Sequence, residues 1–174
     1  MIFKLNKVFA VILIGIVLII APINSVVTAG GYLGKTPHAY VASKELEGLK
    51  FLSGQPDGTV LTYPYDEKLK TRLKEPWPLF AYDSTAYVSA LSKKAVFLED
   101  EPQNVILLTD YKKRLVSSYD FFLKPITESS KFLRDNHIRY IYIQKIFNVR
   151  LDESAGFVKN IFENEEIIIY QVNL

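Results

Sequence analysis

The chain has 174 residues, 21 of them basic and 19 acidic, with 49% hydrophobic side chains, 13% aromatic ones and no cysteine. That size holds one ordinary domain and a short extra segment, and the apolar content excludes a disordered chain. The missing cysteine excludes disulfide scaffolds, cysteine zinc sites, thiol catalysis and a lipidated cysteine. Lys4 and Lys7 stand in the first 30 residues without an acid, so 19 basic residues face 19 acidic ones beyond them. A neutral remainder argues against a nucleic-acid surface built on charge.

Val8 to Ile23 is a run of sixteen residues with no polar side chain. As a helix it measures roughly 24 Å, and roughly 30 Å through Val27, about the thickness of a bilayer core. Two readings stay open: an uncleaved single-pass anchor, or a signal peptide cleaved after Val27-Thr28-Ala29. Both put Lys4 and Lys7 in the cytoplasm and the C-terminal domain at the outer face of the cell membrane, by the positive-inside rule. The division is 1–29 for the anchor or signal, 30–40 for a linker containing Gly30, Gly31, Gly34 and Pro37, and 41–174 for an extracytoplasmic domain.

Ser43 can cap a helix to Ser53 with Leu46, Leu49 and Leu52 on one face. Gly54–Gly58 is a turn, and Thr59–Tyr63 a buried strand. A short exposed helix fits Asp66–Glu75, and Pro76-Trp77-Pro78 forbids regular structure. Asp83 or Ser84 can cap a helix to Ser92 with Tyr87, Val88 and Leu91 inward, followed by a strand at Ala95–Leu98. Val105–Leu108 suits a helical turn or a strand. Asp110 can cap a helix to Leu123, its apolar set being Tyr111, Leu115, Val116 or Tyr119, and Phe122. A further helix begins at Thr127 and ends near Asn136, the plausible left-handed residue. Ile138–Ile143 is the strongest strand, and Phe157–Phe162 with Glu165–Val172 a terminal hairpin. The order predicts an α/β domain, three-layer-like, with a mostly parallel central sheet and the hairpin as an antiparallel edge.

No GxGxxG, GxxxxGK[ST] or GxSxG occurs, so no cofactor is expected. His38 and His137 lie far apart, and no metal site is expected from them. Glu99-Asp100-Glu101 lacks the further oxygen ligands of a calcium loop and reads as a solvated strand-to-loop edge. The aromatic run is more suggestive. Tyr63, Tyr65, Trp77, Phe80, Tyr82 and Tyr87 interleave with Asp66, Asp83 and Ser84. Rings stack on the C–H faces of sugars and carboxylates accept from their hydroxyls. Tyr65 and Asp66 would also follow the carboxyl end of a strand, where α/β sheets bind ligands. The competing reading is that these rings fill the core or pack at a membrane surface. Arg114 is an ion-pair or phosphate-contact candidate. The ligand-binding candidates are therefore Tyr63, Tyr65, Asp66, Tyr82, Asp83, Ser84, Tyr87 and Arg114, with no catalytic residue among them.

The segment PLFAYDSTAYVSALSKKAVFLEDEPQN, followed by DYKKR, resembles the C-terminal extracytoplasmic domain of polytopic membrane glycosyltransferases of the GT-C type. SSKFLRDNHIRYIYI is similar to their helix followed by an I-x-Y-I strand, and NIFENEEIIIYQV to their terminal hairpin. The resemblance covers roughly residues 8–174, and its motifs are not catalytic. It implies an accessory domain, working beside a polytopic glycosyltransferase body at the bilayer, with a glycan or lipid-linked sugar as ligand and without the catalytic membrane body. The alternatives are a membrane-tethered or secreted binding module with no enzymatic partner, and a stand-alone two-carboxylate hydrolase.

Overall fold

The computed structural model describes residues 7–33, 35, 37–107, 110–124, 126–154 and 156–173. Lys4, Gly34 and Leu108 lie outside them. The chain divides into two units, one ending at Pro37 and one from His38 onward. The first is a helix, α1 (Lys7–Tyr32), interrupted by no break at Pro22. Its described large apolar side chains from Phe9 to Val27 are exposed, between 47% and 70%. The expected apolar run falls partly on side chains outside the described set, at 8, 19 and 21. Among the described residues no helix is long and apolar enough to cross a membrane. The transmembrane helix expected from sequence is therefore no finding of the structure.

The second unit runs β1 (Ala39–Tyr40), α2 (Ser43–Ser53), β2 (Thr59–Thr62), α3 (Glu67–Lys70), β3 (Trp77–Pro78), α4 (Tyr87–Ser92), α5 (Glu101–Ile106), α6 (Tyr111–Leu123), α7 (Ile126–Asp135), β4 (Ile138–Gln144), β5 (Val158–Glu163) and β6 (Ile167–Val172), with short 3-10 turns at Leu79–Ala81 and Lys145–Phe147. The four-stranded sheet has the order β2-β4-β6-β5, and β1 and β3 form a separate parallel pair.

The expected mostly parallel sheet is corrected. Within the four-stranded sheet only β2 and β4 pair in parallel, while β4–β6 and β5–β6 are antiparallel. The reason lies in the hairpin. β6 (IIIYQV) is buried at all but one position, whereas β5 is mostly half-exposed. A strand that is apolar on both faces needs a neighbour on each side and cover above and below. β6 therefore sits inside the sheet beside β4, and β5 takes the edge. The strand expected at Ala95–Leu98 is reduced to one parallel bridge, Val96 to Val60. Trp77–Pro78, expected to be irregular, pairs with Ala39–Tyr40, and the Trp77 amide donates to the His38 carbonyl at 2.9 Å.

Helices cover both faces of the sheet, and the strands feed two cores by their alternation. Ile141 and Ile143 of β4 join Ile168 and Tyr170 of β6, with Phe121 and Leu133 from α6 and α7. Tyr140 and Tyr142 join Ile167 and Ile169 on the opposite face, with Leu49, Leu52, Tyr87 and Val88 from α2 and α4. Of the expected inward residues, Leu91 and Val116 are exposed; α6 buries Tyr111 as expected, together with Ser118 and Phe121. The left-handed residue closing α7 is His137, φ 53°, and not Asn136.

Neither helix on the second face begins as expected. α2 has Ala42 at its cap position, with no side-chain cap. The Glu45 amide, in its first turn, donates to Glu166 Oε2 from the β5–β6 turn at 3.0 Å. α4 starts at Tyr87, after Asp83 and Ser84, and its Val88 and Ser89 amides donate to the Glu99 carboxylate at 2.8 and 3.0 Å. Carboxylates from elsewhere in the chain thus accept from the unpaired amides that begin each helix.

Candidate functional site

Beyond the carboxyl ends of the parallel strands β2 and β4 lies a cleft. Thr62 and Tyr63 leave β2, and Gln144 and Phe147 leave β4, to form two of its walls. The segment Phe80–Thr85 and the start of α4 form the third, and Leu98–Glu101 with Tyr111 close it. This is the position where an α/β sheet leaves a crevice, because its crossovers diverge there. The enclosed part is small, about 50 Å3. That is well under the roughly 300 Å3 of a cavity that swallows a ligand. The site is an open groove that presents rings and carboxylates.

Of the residues singled out from sequence, Tyr63, Tyr65, Tyr82, Asp83 and Tyr87 come together in this cleft. Asp66 lies beside it in a shallow depression shared with Tyr65 and Tyr119. Its carboxylate caps α3, accepting from the Lys68 amide at 2.9 Å. Ser84 is exposed and outside the cleft wall. Arg114 also lies apart. Its guanidinium donates to the Phe97 carbonyl at 3.3 Å and sits 5.5 Å above the Phe97 ring. Among the described residues Arg114, carried on α6, meets this carbonyl and ring from the Ala95–Leu98 segment.

The rings are held by one another. Tyr63 stacks on Phe147 with centroids 4.1 Å apart and leans on Phe122 at 5.0 Å. The Tyr65 carbonyl accepts from the Tyr119 hydroxyl at 2.8 Å. Tyr82 is fixed by donation to the His38 carbonyl at 3.2 Å and by the Trp77 ring at 5.8 Å. Lys70 Nζ lies 4.6 Å from the Tyr82 ring and 5.0 Å from that of Trp77.

The electrostatics are one-sided. Asp83, Glu99, Asp100 and Glu101 all line the cleft, and no Lys, Arg or His does among the described residues. The Glu101 amide donates to the Asp83 carbonyl at 2.9 Å, tying the two acidic segments together. Glu101 accepts the Tyr111 hydroxyl at 3.1 Å. Burial pushes Glu99 above its ordinary value, and the two α4 amides oppose that shift. Glu99 is thus not the solvated edge expected from its Glu-Asp-Glu run, but a part-buried helix cap. No group of His, Asp or Glu among the described residues has the arrangement of a metal site.

Behind the cleft sits a network that sequence reasoning did not isolate. Glu45 is 2% exposed and its Oε1 accepts from Tyr87 at 2.6 Å, Tyr142 at 2.9 Å and Gln144 at 3.3 Å. Gln144 also donates to the Tyr87 hydroxyl at 2.8 Å. Burial holds Glu45 above its ordinary pKa, against the pull of those donors. Burial, with Glu45 beside it, holds Tyr87 well above its own. One sequence signal existed: Glu45 precedes Leu49 by four and Leu52 by seven, and so shares their apolar stripe.

No family model matches the chain, and no curated protein sequence matches it. Among solved structures the fold is similar to the C-terminal globular domain of oligosaccharyltransferase from Archaeoglobus fulgidus. That likeness has a TM-score of 0.50 at 11% identity, and covers 77% of this chain and 99% of the other. At that identity the likeness concerns the fold alone: a small mixed α/β domain of the kind carried by a glycosyltransferase.

Proposed function

We propose that this chain is an accessory domain working beside a polytopic GT-C-type glycosyltransferase body at a membrane, where its aromatic and acidic cleft contacts a glycan or acceptor. The observation that carries this reading is the fold likeness, because it spans nearly the whole of a globular domain from an oligosaccharyltransferase. The cleft supports it chemically. Tyr63, Tyr65 and Tyr82 offer ring faces, and Asp83, Glu99 and Glu101 offer acceptors for hydroxyls, in a groove open enough for a chain to lie across. α1, with its exposed apolar side chains and Lys7 at its start, is the membrane attachment in this reading, with the second unit extracytoplasmic.

The test is binding of the full chain to an array of membrane-derived and protein-linked glycans. Retention of a glycan class that Tyr82→Ala and Asp83→Asn each reduce about tenfold, a loss of roughly 1.4 kcal/mol, supports the reading. Uniform absence of binding, together with no change in sugar transfer when the chain is added to the matching membrane body, rules it out.

A second reading is a tethered binding module with no enzymatic partner. It rests on the same rings and carboxylates, which can hold a glycan with no enzymatic partner. Glycan binding with no effect on any membrane transferase would select it.

A further inference from the structure

We infer that the outward face of α6, with the end of α5 that precedes it, docks onto an anionic phospholipid surface. Among the described residues of the second unit, five large apolar side chains are more than half exposed. They are Val105 at 54%, Ile106 at 69%, Leu107 at 70%, Val116 at 60% and Leu123 at 78%. All five fall on α5, α6 and the turn between them. Apolar residues on a monomer's surface are normally scattered singly, so such a concentration marks a contact surface.

α6 aligns part of it. At 3.6 residues per turn, Lys112, Val116 and Leu123 lie within about 40° of one another around the helix. Tyr111 and Phe121, on its other side, are buried in the core shared with β4 and β6. The helix thus commits one face to the core and carries valine and leucine on the other, where a solvated helix carries polar residues.

Charge selects the occupant. Residues 105–124 hold Lys112, Lys113, Arg114 and Lys124 against Asp110 and Asp120. Lys4, Lys7 and Lys35 precede the second unit, which therefore carries 18 basic residues against 19 acidic ones. The apolar face is thus locally basic in a unit whose remainder is acidic. Lys112 and Lys113 are exposed, while Lys124 meets Asp120 at 3.1 Å. A second copy of the chain would set these lysines against themselves across a two-fold interface. Lysine is also depleted from the buried centres of protein interfaces. At a bilayer its stem lies along the apolar phase and its ammonium meets headgroup phosphate. Where α1 attaches the chain, the second unit begins six residues after Tyr32, and that tether raises the local concentration of lipid. The tether argument rests on the attachment proposed above; the exposure and the charge do not.

The experiment uses single fluorescent probes on cysteine, which the natural chain lacks. The full chain is reconstituted in phosphatidylcholine vesicles, with and without phosphatidylglycerol, that contain a nitroxide-labelled lipid as quencher. Leu107→Cys and Leu123→Cys probe the face, and Ile14→Cys probes α1. Lys159→Cys is the control. Lys159 is exposed, and its cross-strand neighbour Gln171 pairs with Tyr140 of the opposite core. With phosphatidylglycerol present, lipid should quench the probes at 107 and 123 about threefold more strongly than the probe at 159. Lys112→Gln combined with Lys113→Gln should reduce that quenching by about half or more. Quenching at 107 and 123 no stronger than at 159 overturns the docking face. If the probe at 14 is then quenched, only the face falls; if it is not, the attachment through α1 falls as well. Quenching at 107 and 123 without quenching at 14 supports the face and removes α1 as the attachment. Quenching that is equal without phosphatidylglycerol, or unmoved by the lysine substitutions, overturns the anionic surface. Probes at 107 and 123 that are shielded from water but untouched by the lipid quencher mean a protein cover, and overturn it too.

Discussion

Glu45 is a carboxylic acid in a core, and its behaviour with pH follows from that. Its proton is bound more tightly in the folded chain than in the unfolded one, because burial penalises the charge more than three hydrogen bonds favour it. The part of the stability that Glu45 controls is therefore fully present below the ordinary carboxylate value of 4.5 and is lost as pH rises through the folded pKa. The difference in urea midpoint between the natural chain and Glu45→Gln, measured across that window, should therefore shift against the natural chain as pH rises. Glu163 works in the opposite direction. Lys145 and Arg150, followed by Asn160, bond its carboxylate and hold it down at about 2. That contribution is present above the unfolded value near 4.5 and is lost as pH falls toward 2. Acid-unfolding curves of Glu163→Gln should lose this part of their steepness, and the same modest contribution should be missing at neutral pH.

At the level of elements, α2 shows how closely two segments can be matched. Gly48 faces β6, and a Cβ there would lie 1.9 Å from Ile167 Cδ1 and 2.9 Å from its Cγ1. In an exposed helix, Gly→Ala stabilises by about 1 kcal/mol. Here Ile167 is fully buried and must shift, so overpacking of about 1–3 kcal/mol opposes that gain. Thermal unfolding of Gly48→Ala should show a net loss, and pairing it with Ile167→Val should recover part of it. The helix starts carry a related lesson. Ser43, Asp83 and Ser84 are good capping residues by type, yet α2 and α4 are capped by Glu166 and Glu99. An acid brought in by folding displaces the local candidate, and in α4 this moves the start past Asp83, leaving that residue on the cleft wall.

For the molecule as a whole, the arrangement places two cavities around one buried acid. Gln144 and Phe80 border both the aromatic cleft and a second cavity between the start of α2, the carboxyl end of β4 and the β5–β6 turn. The α1 unit adds a helix of 26 residues, roughly 39 Å long at about 1.5 Å per residue. If α1 is the membrane attachment, the full chain should sediment with membranes and a chain with Val11, Ile14 and Leu18 changed to Ser should be released in part. Carbonate washing of the membrane fraction measures this. A natural chain that stays in the supernatant would remove α1 from the proposed function.

Local order was enough to read the strong elements of this chain. The alternating and continuous apolar runs of β2, β4, β5 and β6 lie where their residue pattern places them, because a strand's period of two is written directly in its side chains. The clustering of Tyr63, Tyr65, Tyr82, Asp83 and Tyr87 was also within reach, since they follow one strand and precede one helix. Sheet order was not. Whether β6 stands inside or at the edge depends on which faces find cover, a property of the packed whole. The same holds for the helix caps and for the burial of Glu45. They depend on residues brought in from other segments, 10 positions away for Glu99 at α4 and 121 for Glu166 beneath α2, and only the folded chain brings them into contact.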